Sequence, residues 1–161
     1  MKIFVKLLIF TILVPGSVTV AIPYWMLSSS AGFRSSGYRL LGSAPAALGA
    51  FVYLWCAKDF AFAGLGTPAP IDPPKRLVSN GLYRWVRNPM YVGILLVVLG
   101  EAILFASPLI LRYALLLWVL FHLFIIYYEE PTLRKKFGTA YAEYCRNVPR
   151  WIPRTTLERS G

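Results

Sequence analysis

The chain has 161 residues, 57% of them hydrophobic and only 15% charged. That balance excludes an ordinary soluble domain, and the length allows one compact unit, residues 1–161, and not two. The formal net charge of +10 does not indicate a nucleic-acid partner, because the basic residues lie between apolar runs and form no polar stripe; membrane orientation accounts for them better.

Four runs are long enough, or nearly so, for the roughly 20 apolar residues that cross a bilayer. The first is 3–27, with a kink expected at Pro15-Gly16. Its start also has the outline of a secretory signal, but it is long and ends in "PYW", so a retained helix is expected. The second run is about 40–63. The third and fourth, about 90–106 and 109–128, are separated by Ser107-Pro108, a turn signal, and so predict a tight antiparallel helical hairpin. Glu101 and Arg112 flank that turn at similar depth, and an ion pair between them would relieve two charges in lipid. Cys56 and Cys145 have no metal-type or disulfide-type spacing and read as free thiols; no metal site is expected.

Four spans put both termini on one side. The positive residues then divide unequally. Lys2 and Lys6, the group Lys58, Lys75, Arg76, Arg84 and Arg87, and seven more in the tail share that side, against Arg34, Arg39 and Arg112 opposite. The positive-inside rule predicts that both termini and the 64–88 connection are cytosolic.

The connection opens with "GLGTPAPIDPPK", whose prolines forbid a helix, and continues "KRLVSNGLYRWVRNPMY". Asn80-Gly81 is a turn signal. Asn88-Pro89 reads as a helix start, with Asn at the cap and Pro in the first turn. A helix start presents free N–H groups and a positive dipole end, which with Arg87 makes an anion site; lipid-headgroup contact by Arg84 and Arg87 is the alternative. At the end of the fourth run Glu129 and Glu130 stand where the helix leaves the membrane. They are either a solvated cluster with Arg134, Lys135 and Lys136 or a ligand-binding pair, of which one side chain faces inward. His122, the only histidine, lies seven residues before Glu129 and nearly on its face. It reads either as an interhelical hydrogen bonder or, with Arg87, as a candidate catalytic residue.

"GLYRWVRNPMYVG", followed after an apolar hairpin by "EEPTLRKKFGTAYAEYCRNVPRWIP", resembles the isoprenylcysteine carboxyl methyltransferase and phospholipid methyltransferase superfamily over about residues 75–153. The resemblance implies an all-α integral membrane enzyme. It implies S-adenosylmethionine held in a cytosolic pocket built from the connection and the tail, and a lipophilic small-molecule or lipid acceptor entering from the bilayer. By position, Lys75, Arg76, Leu77, Val78, Tyr83, Asn88, Pro89, Met90 and Tyr91 would line the cofactor site. Glu129 would be the main cofactor carboxylate and Glu130 the lesser, with its side chain toward solvent and the lysines of the tail. Two positions depart from the family. Asn88 stands where it usually has His, and so cannot titrate. Ile125 stands where the prenylcysteine enzymes carry an arginine for the substrate carboxylate, which argues against a carboxylate acceptor. An amine or phospholipid acceptor, a non-catalytic membrane protein that kept the fold, and a nicotinamide-dependent membrane reductase are the competing readings.

Overall fold

The structure is a computed structural model, and it describes residues 2–28, 37–64 and 76–153. Among these every regular element is helical. Three helices, Val5–Ser28, Leu40–Phe62 and Pro108–Asn147, are long and apolar enough to cross a membrane, and a shorter apolar helix, Pro89–Leu104, lies between the second and third. An integral membrane, all-α architecture follows.

Helix α1 (Lys2–Leu13) runs through a π-helical turn, Ser17–Ala21, into α2 (Ile22–Ser28). Pro15 is the cause. It has no N–H to donate to the preceding turn, and the widened turn follows at once. Thr19 Oγ1 donates to Pro15 O at 2.8 Å and helps to satisfy the loosened backbone.

A 3₁₀ turn, Gly37–Gly42, leads into α3 (Ser43–Asp59). α3 packs antiparallel along α4 (Pro89–Leu104), the most extensive helix pairing among the described residues. A Cβ on Gly93 would lie 2.8 Å from Gly49 O, and one on Gly100 would lie 2.6 Å from both Gly42 O and Ala46 N. The backbones meet where side chains are missing, which is how apolar helices associate without a hydrophobic driving force. Val98 and Ile110 are fully buried at the centre, with Tyr53, Cys56, Ile94, Ala114 and Leu117 packed around them.

α4 turns into α5 (Pro108–Phe124) through three residues, with Ala106 at φ 45°. Ser107 Oγ caps the new helix by accepting from Ile110 N at 3.3 Å. The expected Glu101–Arg112 pair does not form. Glu101 Oε2 is buried with no hydrogen-bond partner among the described residues, and Arg112 is exposed. The buried stripe of α5 is Ile110, Ala114 and Leu117. Arg112 lies two residues from Ile110 and from Ala114, about 200° around the helix, and so points away from α4.

A second π-helical turn, Ile125–Glu129, joins α5 to α6 (Glu130–Asn147), and again a proline, Pro131, stands just beyond it. α6 bends sharply at Gly138 (φ 55°, ψ −125°), a conformation that only glycine adopts without strain. Beyond the bend, the second half of α6 meets the segment that precedes α4, Tyr144 at Tyr83 and Cys145 at Arg87. Cys56 and Cys145 are free thiols.

Candidate active site

Two short segments far apart in sequence are stitched together at the start of α4. Arg87 N donates to Pro149 O at 2.8 Å. Asn88 does occupy the cap position, but its side chain does not cap the helix; Asn88 Nδ2 donates instead to Arg150 O at 3.1 Å. Tyr144 OH donates to Tyr83 O at 2.6 Å. The connection preceding α4 and the tail are therefore packed together.

Gly81 opens the turn with φ +55°, and a Cβ there would strike Asp59 Oδ2 at the end of α3. Asp59 is buried, and its Oδ2 has no hydrogen-bond partner among the described residues. Nothing in the sequence pattern distinguished it from an ordinary helix-end acid.

The two adjacent glutamates have opposite environments. Glu130 is buried and receives Arg150 on both oxygens, Nε at 2.8 Å and Nη2 at 3.1 Å. Arg87 Nη1 approaches Glu130 Oε1 to 3.2 Å and also donates to Cys145 Sγ at 2.7 Å. Burial opposes the ionisation of Glu130, but the Arg150 hydrogen bond and the charges of Arg87, Arg150 and Arg134 outweigh it and hold the carboxyl below its ordinary range. Glu130 therefore does not face solvent beside the tail lysines, as expected, but sits in a buried ion cluster. Glu129 lies just past the apolar stretch that ends at Tyr128. Among the described residues its partner is Tyr91 OH, which donates to Oε2 at 2.8 Å. Burial pushes its carboxyl up, the Tyr91 hydrogen bond only partly offsets this, and the Glu130 charge adds to the rise. Glu129 has no counter-cation there.

Both glutamates line a cavity of about 640 Å³, a size typical of small-molecule sites. The polar side chains on its wall are Tyr83, Arg87, Asn88, Tyr91, Glu129 and Glu130, with Tyr141 and Tyr144 from the tail. Its apolar lining includes Phe10, Val14 and Val18 of the first helix and Leu117, Leu120 and Phe121 of α5, and Tyr91 meets Phe121 at a ring distance of 4.7 Å. Of the residues singled out from the sequence, Leu77, Val78, Tyr83, Arg87, Asn88, Met90, Tyr91, Glu129 and Glu130 are on this wall. Arg76 and Pro89 are not, and Lys75 lies outside the described residues. His122 is not on it either. It stacks on Trp118, and its Nδ1 accepts from Trp151 Nε1 at 3.1 Å. The shared face expected for His122 and Glu129 is lost because the π-helical turn between them inserts a residue and offsets the two faces.

The stretch from Tyr38 to Thr139 and one residue beyond, 38–140, matches the model of the phospholipid methyltransferase family. The chain belongs to that family. Curated relatives carry a related name. A probable protein-S-isoprenylcysteine O-methyltransferase of Oryza sativa subsp. indica is 37% identical over 79 residues, 48% of this chain and 41% of its own length. The protein-S-isoprenylcysteine O-methyltransferases of Schizosaccharomyces pombe and Homo sapiens are 40% and 36% identical over 80 and 78 residues, which is 33% and 27% of their lengths. The chain thus spans less than half the length of these relatives. In this family member the matched region holds α3, α4, α5 and the glutamate pair, and with them Tyr83, Arg87, Asn88, Tyr91, Glu129 and Glu130 of the cavity wall.

Proposed function

We propose that the chain is an integral membrane methyltransferase that takes its methyl group from S-adenosylmethionine and gives it to a lipophilic acceptor. The observation that carries this reading is a cavity whose wall joins a carboxylate, Glu129, with no counter-cation among the described residues, to apolar side chains of the first helix and α5; in this reading the polar group is the cytosolic end and the apolar group the lipid-facing end. The residues fit the donor's chemistry. Glu129 is suited to an ammonium, Asn88 and the N-terminus of α4 to a carboxylate, and Tyr83, Tyr91 and Tyr128 to an adenine or a sulfonium. When bound, the donor supplies an already activated methyl group, so no metal or covalent intermediate is required of the protein. The chain's own residues would bind, align and exclude water. Arg87 would act by holding Glu130 and the corner of α4, and His122, off the cavity wall, is given no reacting role.

In this reading Pro89–Leu104 is a fourth, short span forming a hairpin with α5. Both termini and the polar end face the cytosol, as the distribution of basic residues supports. The acceptor is not a carboxylate. Ile125, one turn before Glu129, lines the cavity and is 1% exposed. Arg87, the only basic residue among the described ones on the wall, is engaged by Glu130. Calorimetry in detergent with S-adenosylhomocysteine and NADPH tests the proposal. Binding of the first alone is expected; binding of NADPH, or of neither, would sink it.

A further inference from the structure

The tail beyond α6 is held by a series of ties that the cavity itself does not explain. Val148 is extended (φ −121°, ψ 123°); its amide makes the last helical bond, to Tyr144 O at 2.9 Å, and the ladder ends there. The next three residues each fasten to a different element. Pro149 O accepts from the Arg87 amide at 2.8 Å. Arg150 binds Glu130 through its guanidinium and Asn88 through its carbonyl. Trp151 reaches α5, donating to His122 Nδ1 at 3.1 Å with the rings 6.2 Å apart and inclined by 30°. Trp118 backs His122 from its own helix at 5.5 Å and 19°. Because Nδ1 accepts, the ring carries its proton on Nε2.

None of Trp118, His122 and Trp151 lines the cavity, whereas Arg87, Asn88 and Glu130 all do. We propose that the His122–Trp151 hydrogen bond is a latch that fixes the 148–151 strap on α5, and that His122 and Trp151 are positioning residues for the donor-binding end of the cavity. The inference rests on the cofactor reading given above. Its physical basis is that the strap's backbone ties end at Pro149: Val148 N donates to Tyr144 O, and Pro149 O accepts from Arg87 N. The placement of Arg150 beyond them depends on side-chain ties, and the latch is the one on the far side of Arg150 from α6. With it lost, the Arg150 carbonyl and guanidinium are free to shift, which leaves Asn88 without its acceptor and Glu130 with Arg87 alone.

The test uses the full chain in detergent. His122→Phe keeps a ring to stack on Trp118 but has no acceptor, Trp151→Phe keeps a ring but has no N–H, and His122→Asn restores an acceptor near the position of Nδ1. Each variant and the double phenylalanine variant is measured for S-adenosylhomocysteine affinity by calorimetry. Exchange of the Arg87 amide hydrogen and thermal melting are followed in parallel. Each phenylalanine variant should weaken binding about 3- to 10-fold, the value of one neutral hydrogen bond. The double variant should be no worse than either single, His122→Asn should recover most of the loss, and Arg87 exchange should accelerate wherever binding weakens. Losses that add in the double variant, no rescue by His122→Asn, or unchanged Arg87 exchange would each overturn the latch. If one phenylalanine variant does not fold, the other carries the same comparison. If the wild-type chain does not bind S-adenosylhomocysteine, the cofactor reading fails, and Arg87 exchange alone still decides whether the latch holds the strap.

Discussion

Tyr91, in the first turn of α4, donates a 2.8 Å hydrogen bond to Glu129 at the start of the tail. It does so while Glu130, the next residue, is taken by two arginines. Among the described residues the partner of Glu129 is thus a neutral donor, and the cations lie on its neighbour. Glu129→Gln keeps the shape and removes the charge. It should weaken S-adenosylhomocysteine binding about 10- to 150-fold, the range for one charge-assisted hydrogen bond. Glu130→Gln should instead lower the melting temperature, because Arg150 and Arg87 lose a buried partner, and should affect binding less. A silent Glu129→Gln beside a damaging Glu130→Gln in the calorimeter would reverse the two roles.

The same pair predicts a pH signature. The folded pKa of Glu130 lies below its unfolded value, about 4.3 for a free glutamate. Its stabilisation is fully present above that value and is lost as the pH falls through the folded pKa. Glu129 has the opposite sign. Its folded pKa is raised, so the stability it contributes is present below the unfolded pKa and is lost as the pH rises through the folded one. Melting temperatures from about pH 3 to pH 8 should therefore show a shallower acid limb in Glu130→Gln. Glu129→Gln should melt higher than the wild type at neutral pH, gaining stability where it loses affinity. A Glu129→Gln variant less stable than the wild type at pH 8 would show that the Tyr91–Glu129 bond is structural first.

Much of the helix layout is legible in the sequence. Apolar run lengths located the helices, and Ser107-Pro108 and Asn88-Pro89 located their starts, because proline and run length act locally. The polar wall was legible only through the family motif. Two kinds of feature escaped. Partner choice was one: Glu130 was read from the cations next to it in sequence and Arg112 from its depth opposite Glu101, but Arg150 and the phase of α5 decided their environments. Helix phase was the other. A π-helical turn at 125–129 leaves no periodicity signal in an all-apolar stretch, yet it separates His122 from Glu129. Proline supplied the available clue, since Pro15 and Pro131 each adjoin a widened turn. Phe10, Val14 and Val18 reached the cavity from a helix that composition marked only as a generic span.

Gly93 and Gly138 should respond differently to side chains. At Gly93 the obstacle is backbone, Gly49 O at 2.8 Å and Tyr53 N at 2.9 Å. Alanine there should cost about 1–3 kcal/mol, and valine more, because α3 must move away. At Gly138 no atom lies within 4 Å of the added Cβ, and only the backbone conformation resists. Alanine, serine and lysine at 138 should share one cost of about 1–3 kcal/mol, independent of size. Urea unfolding in mixed micelles distinguishes the two patterns. A size-dependent series at 138 would mean that the bend packs against something.

Glu101 and Arg112 should behave as strangers. With Glu101 Oε2 unpartnered, Glu101→Gln should leave the melting temperature unchanged or raise it. Arg112→Leu should act independently, and the double variant should equal the sum within about 0.5 kcal/mol. A coupling above about 1 kcal/mol in that cycle would restore the ion pair that their positions across the hairpin first suggested.

The acceptor is tested by charge. A carboxylate delivered to the methyl group would be buried beside Glu129 against Ile125, with Arg87 already committed to Glu130. Apart from the donor's own sulfonium, a carboxylate there finds no uncommitted cation on the wall and is repelled by Glu129, whereas an uncharged amine, thiol or hydroxyl meets no such penalty. An amine also becomes cationic as it is methylated, next to the uncompensated Glu129. Methyl transfer to a farnesylcysteine carboxylate should therefore be at least about 100-fold less efficient in kcat/KM than transfer to an amine on a chain of similar length. Labelled methyl donor and extraction of the product into organic solvent measure both. Comparable efficiencies would mean that Arg87 leaves Glu130 for the substrate. Arg87→Lys, which keeps the charge but loses the bidentate fork, should then damage the carboxylate reaction more than the amine reaction.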